Sequence, residues 1–184
     1  MRLKDVLVTI FSLALLASLV VLWLSPAGVT RVPPLTLFTL QGEKLAIPDS
    51  AGRPQLVVFW ATTCRSCIKE IPGLVDLYRE LGPHGLEIIG VAMQYDRPDQ
   101  VIAVSKSRKI PYPVALDIHG NSARAFGDVR LTPTSFLVSA DGRILNQTVG
   151  VINMDNMRTM IVALLEQKKL AQADSAEESH HAVD

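Results

Sequence analysis

The chain holds only two cysteines in 184 residues. That is too few for a disulfide scaffold, so an ordinary apolar core must hold the fold. There is no second cysteine pair, and of the four histidines only His180 and His181 are adjacent, in a polar tail. Structural zinc takes four such ligands, commonly as two pairs, so a zinc site is disfavoured. An excess of one charge is also missing: 18 Lys and Arg balance 18 Asp and Glu. Nucleic-acid binding calls for a basic surplus, so no nucleic-acid partner is expected. No internal repeat is visible, and the length suits one domain with appendages.

What is present is unevenly spread. Val6 to Leu24 runs without a charge, preceded by Arg2, Lys4 and Asp5. As a helix it is about 28 Å long, close to the ~30 Å hydrocarbon core of a bilayer. The basic end is expected to stay in the cytoplasm and the rest of the chain outside it. Ser25-Pro26-Ala27 also fits a signal-peptide cleavage site, but the run is longer than a typical secretory h-region. No cysteine lies near position 25, which excludes a lipoprotein anchor. The expected plan is therefore residues 1–5 cytoplasmic, 6–24 a single-pass signal-anchor in the inner (cytoplasmic) membrane, and 25–34 a linker. Residues 35–170 form the folded, extracytoplasmic or periplasmic domain, and 171–184 a disordered polar tail with too little apolar surface to hold a fold.

Within the domain, Leu35–Leu40 and Lys44–Ile47 read as a short hairpin. Leu56–Trp60 is a continuous apolar run, as expected of a strand buried on both faces, and Leu86–Met93 reads as another buried strand. Between them Cys67, Ile68, Ile71, Leu74, Val75, Tyr78 and Leu81 recur at helical spacing, with Pro72 placed to kink the helix. Pro98 to Arg108 reads as a second helix, Pro113–Leu116 as a short strand, and Asn121–Phe126 as a helical turn or short helix. Thr134–Ser139 and Ile144–Val149 flank the turn signal Asp141-Gly142. Asp155 to about Leu170 is a last helix. Strands alternating with helices, followed by a late hairpin, predict an α/β fold with a mixed sheet.

The two cysteines form Cys64-Arg65-Ser66-Cys67, between the end of a buried strand and the start of a helix. A helix N-terminus carries unpaired N–H groups and partial positive charge, which stabilise a thiolate there. The thiolate is the attacking species in disulfide exchange. A structural disulfide over so short a loop removes little unfolded-state entropy, so a reversible redox dithiol is the better reading. It requires no cofactor and no metal.

The segment Trp60-Ala61-Thr62-Thr63-Cys64-Arg65-Ser66-Cys67-Ile68-Lys69-Glu70-Ile71-Pro72, with Thr132-Pro133-Thr134 ahead of the Asp-Gly hairpin, resembles the thioredoxin superfamily. It looks most like the membrane-anchored TlpA/ResA-type thiol–disulfide oxidoreductases, including those of cytochrome c maturation. The resemblance implies a thioredoxin-like fold over about residues 35–170, with an N-terminal hairpin extension. It implies Cys64 as nucleophile, Cys67 as resolving cysteine, and a cis Pro133 beside the dithiol. Trp60, Arg65, Thr132 and Pro133 would border the bound substrate. Glu70, three residues after Cys67, matches an acid associated with the active site and is a candidate proton carrier. The implied partners are protein thiols and disulfides, and a membrane dithiol electron donor.

Three departures stand out. Thr63 replaces the Trp many members carry before the first cysteine. Val58 stands where cytosolic thioredoxin has a buried Asp. Arg65 beside Cys64 is expected to lower the thiol pKa and make the disulfide more oxidising. Two other functions are weighed. A copper chaperone would use the cysteines with Met93, His84, His119 or His180-His181 as soft ligands, but the spacing is CxxC. A peroxidase would need Pro and Thr at the positions held by Val57 and Ala61.

Overall fold

The computed structural model describes residues 13–16, 18 and 31–181. The expected membrane segment 6–24 lies mostly outside this set; residues 13–16 and 18 are helical. Among the described residues no helix is long and apolar enough to cross a membrane.

The domain opens with an antiparallel hairpin, β1 (Leu35–Phe38) and β2 (Lys44–Ile47). The main sheet contains β3 (Gln55–Trp60), β4 (Glu87–Ala92), β5 (Val114–Leu116), β6 (Thr134–Val138) and β7 (Ile144–Val149), in the order β5-β4-β3-β6-β7. The β3–β4 and β4–β5 pairs are parallel, while β6 and β7 join antiparallel. The helices are α1 (Arg65–Leu81), α2 (Pro98–Ser107), α3 (Asn121–Ala125) and α4 (Met154–His181). This is the expected mixed sheet with flanking helices and an N-terminal hairpin.

Every residue of β3 and β4 is buried. Side chains alternate across a strand, so each strand supplies two cores. Leu56, Val58 and Trp60 join the core beneath α1 and α4. Val57 and Phe59 join the core on the other face, beside Leu37 of the hairpin and Phe126. There Phe59, Phe126 and Phe136 pack with centroids 4.8–5.9 Å apart. Each such ring contributes about 1.5–3 kcal/mol by burial alone. The sheet is thereby clamped from both sides, and its central strand delivers the chain to Cys64 in a fixed place.

Helix α1 runs unbroken past Pro72, whose exposed ring sits on the solvent side. The last helix differs from expectation. It continues to His181 rather than ending near Leu170. The segment 171–181 includes three Ala and two Glu, good helix formers, and carries no Gly or Pro to stop a helix already nucleated by the packed turns before it. Met157, Ile161 and Leu165 bury one face of those earlier turns.

Candidate active site

The chain leaves β3 at Trp60 and turns through Ala61–Cys64, closed by the Cys64 N–H donating to the Ala61 carbonyl at 3.1 Å. Helix α1 then begins at Arg65 with Cys64 as its N-cap. A cap residue normally supplies an oxygen to an orphan N–H at the helix start. Here the Cys64 Sγ accepts the Cys67 N–H at 3.2 Å. The Ser66 Oγ lies 3.3 Å from the same sulfur and can donate to it. These groups would stabilise negative charge on Sγ when the thiol is free.

Cys64 and Cys67 are joined as a disulfide, with their Cα atoms 5.3 Å apart. Their exposure differs because of the helix period. Cys67, Ile71 and Leu74 fall at i, i+4 and i+7 on the buried face, and Cys67 is 2% exposed. Cys64, at the cap, stays partly open. Cys64 is thus partly exposed and Cys67 sheltered.

Glu70 shares the inward face and is 5% exposed. Its Oε1 accepts the Ile152 N–H at 2.6 Å, tying α1 to the segment before α4. Burial pushes the Glu70 carboxyl above its usual range, and the Ile152 N–H pulls it part of the way back. Behind the disulfide, a pocket with room for about one water is lined by Val58, Trp60, Cys67, Glu70, Gly90 and Tyr112. Burial raises the Tyr112 hydroxyl strongly, and the Glu70 carboxylate adds to the effect. Gly90 leaves that space open: a Cβ there would sit 3.2 Å from Trp60 Nε1 and 3.4 Å from Tyr112 Cε2.

On the open side, the Thr132–Pro133 peptide is cis. The Thr132 carbonyl oxygen lies 3.6 Å from Cys64 Sγ. The Pro133 carbonyl accepts the Gly150 N–H at 2.8 Å, which fixes this loop to the end of β7. Arg65 and Thr63 are exposed at the rim, and Trp60 is buried beneath. All seven residues singled out from the sequence therefore gather within or around this one turn.

The soft-ligand candidates His84, Met93 and His119 do not gather. His84 follows the far end of α1, roughly 25 Å along the axis from Cys67 at 1.5 Å per residue. Met93 is buried at the end of β4. His119 is exposed beyond β5. Among the described residues no cluster of three or more His, Cys, Asp or Glu is arranged to hold a metal. Val57 and Ala61, at the positions a peroxidase would fill with Pro and Thr, are both buried apolar side chains.

Sequence reasoning missed two parts of the site. One is Tyr112 with Gly90, distant in sequence and united only by the sheet. The other is Asp96, whose carboxylate binds Thr62 in the turn before Cys64. Its sequence signal was slight, an acid in the loop after an apolar strand.

The AhpC/TSA family profile matches residues 29–147. The thiol-disulfide oxidoreductase ResA of Bacillus thuringiensis subsp. konkukian is 35% identical over 123 residues, covering 65% of this chain and 68% of that one. ResA of Bacillus subtilis is 29% identical over 123 residues, covering 65% and 66%. A solved thiol:disulfide interchange protein of the thioredoxin family from Chlorobium tepidum superposes with a TM-score of 0.67 at 26% identity, covering 77% of this chain and 99% of that one. A thioredoxin-like sheet, a strand-to-helix CxxC and these relatives together mean that the chain belongs to the AhpC/TSA family, among its ResA-like thiol–disulfide oxidoreductases.

Proposed function

We propose that this oxidoreductase is an exported, membrane-anchored reductase that exchanges disulfides with protein substrates through Cys64 and Cys67. The observation that carries the reading is the contrast within the pair: Cys64 partly open at a helix N-cap, Cys67 buried one turn on. In the reducing direction, the Cys64 thiolate attacks a substrate disulfide sulfur. One substrate sulfur leaves as a thiolate and takes up a proton, and a mixed disulfide joins the other to Cys64. Cys67 then loses its proton and attacks Cys64 Sγ. The second substrate thiolate departs, and the Cys64–Cys67 disulfide remains. Two electrons have passed to the substrate, and a membrane dithiol donor restores the enzyme.

Glu70 is suited to take the Cys67 proton. It lies three residues on along the same helix, in a pocket where burial keeps its carboxyl partly protonated to higher pH. The cis Thr132–Pro133 loop lies close enough to Cys64 for its backbone to guide an extended substrate segment. Arg65 is exposed beside Cys64, where such a segment would pass, whereas Trp60 is buried beneath and would support the site without touching the substrate.

The charge-free run Val6–Leu24 behind Arg2 and Lys4 supports the anchor and an extracytoplasmic domain. The likeness to ResA-type proteins supports apocytochrome c cysteines, or those of a similar exported protein, as substrate. The direct test is reduction of a protein disulfide reporter by the full chain. Activity is expected in the unaltered protein and absent after Cys64→Ala with Cys67→Ala; persistence in the double variant would defeat the dithiol reading.

A further inference from the structure

Asp96 lies outside the CxxC helix, between β4 and α2, yet its carboxylate holds the loop that leads into Cys64. One oxygen accepts the Thr62 N–H at 2.6 Å. The other accepts the Thr62 hydroxyl at 2.6 Å and the Arg97 N–H at 3.1 Å. The Gln100 Oε1 stands 3.2 Å from the same hydroxyl. Asp96 is only 9% exposed.

The acid is itself anchored to the sheet. Its N–H donates to the Met93 carbonyl at 2.9 Å, and the Met93 N–H donates to the Trp60 carbonyl at 3.0 Å. Trp60 and Ala92 are register partners at the ends of β3 and β4. Thr62 is the second residue of the turn Ala61–Cys64. A side chain fixed to β4 therefore grips the turn that sets where Cys64 meets the helix. Hydrogen bonds to an ionised carboxylate are short and strong, and two on one residue leave it little freedom.

We propose that Asp96 is a positioning residue for thiol–disulfide exchange. Through Thr62 it holds Cys64 at the cap, where the Cys67 N–H and the helix N-terminus stabilise its thiolate. The proposal rests on the reading that Cys64 is the exchanging thiol.

The test uses the full chain in detergent, reduced, with two readouts: the pH profile of Cys64 alkylation and the rate of reporter reduction. Thr62→Val removes the hydroxyl bond without altering any charge. It is expected to move the alkylation midpoint upward by as much as ~1 pH unit and to slow exchange at neutral pH by up to about tenfold, because the thiolate fraction falls. Thr62→Ser keeps both bonds and is expected to stay within about twofold of the unaltered chain. Asp96→Ala is expected to slow exchange at least as much as Thr62→Val, with little further loss when the two are combined. Thr62→Val is close to isosteric, so it carries the test if Asp96→Ala fails to fold. The proposal is overturned if Thr62→Val melts earlier but alkylates and exchanges with the unaltered profile. The alkylation profile decides positioning on its own. Absence of reporter turnover in the unaltered chain would count instead against Cys64 as the exchanging thiol.

Discussion

Glu70 can be separated into a structural part and a proton-carrying part by two substitutions. Glu70→Ala removes the acceptor of the Ile152 N–H, a 2.6 Å bond in a buried setting. An orphaned buried N–H costs about 1–3 kcal/mol, and hydrogen bonds to charged groups are worth about 1.5–3 kcal/mol. A loss of ~2 kcal/mol lowers the melting temperature of a domain this size by about 5–10 °C. Glu70→Gln keeps an oxygen for the same N–H and is expected to retain most of that stability. Linkage adds a sign. The unfolded chain releases the Glu70 proton near the ordinary value of 4.5, whereas the folded chain holds it to higher pH. In that window the native state binds more protons, so Glu70's contribution to stability falls as pH rises and levels off above the folded pKa. Glu70→Gln abolishes this slope and gains on the parent as pH rises through the window. Thermal unfolding of the oxidised chain at acid and mildly alkaline pH measures both effects. Equal destabilisation by Ala and Gln at every pH would refute the hydrogen-bond reasoning. An unchanged pH profile of exchange in Glu70→Gln would refute the proton-carrying role.

Other predictions concern the surroundings of the dithiol. Gly90→Ala places a Cβ 3.2 Å from Trp60 Nε1; overpacking of this kind costs about 1–3 kcal/mol, and calorimetry should show a lower melting temperature. Arg65→Ala removes the cation at the first residue of α1; its redox titration should give a more reducing potential than the parent, because the thiolate loses a stabilising charge. The parent itself is expected to be less reducing than about −270 mV, the thioredoxin reference, and a value well below that would remove Arg65 from the explanation. Ser66→Ala deletes the hydroxyl 3.3 Å from Cys64 Sγ, and iodoacetamide kinetics should show a modest rise in the thiol pKa.

The alternation of apolar runs and helical spacing made most elements legible, because burial on both faces of β3 and β4 leaves apolar side chains at most of their positions, Gln55 and Glu87 at their starts excepted. Cys64 and Cys67 were legible as a pair because their function is written in three consecutive intervals of one helix turn. The length of the last helix was less legible: low apolarity argues against a packed core, but it does not stop propagation from a helix anchored by Met157, Ile161 and Leu165. Asp96, Tyr112 and Gly90 escaped notice for a different reason. Each reaches the site across neighbouring strands, and strand order is a long-range property that no local window reports. Gly90 illustrates the point, since its importance comes from what stands opposite it rather than from its own neighbours.

Mixed-disulfide trapping tests the central claim most directly. Full chain carrying Cys67→Ala, incubated with an oxidised protein substrate, should form a covalent adduct that mass spectrometry maps to Cys64 and that a reductant releases. Cys64→Ala under the same conditions should form little or none, because Cys67 is buried. Equal adducts from both variants, or none from Cys67→Ala, would contradict the assignment of Cys64 as the exposed nucleophile and Cys67 as the thiol that resolves it.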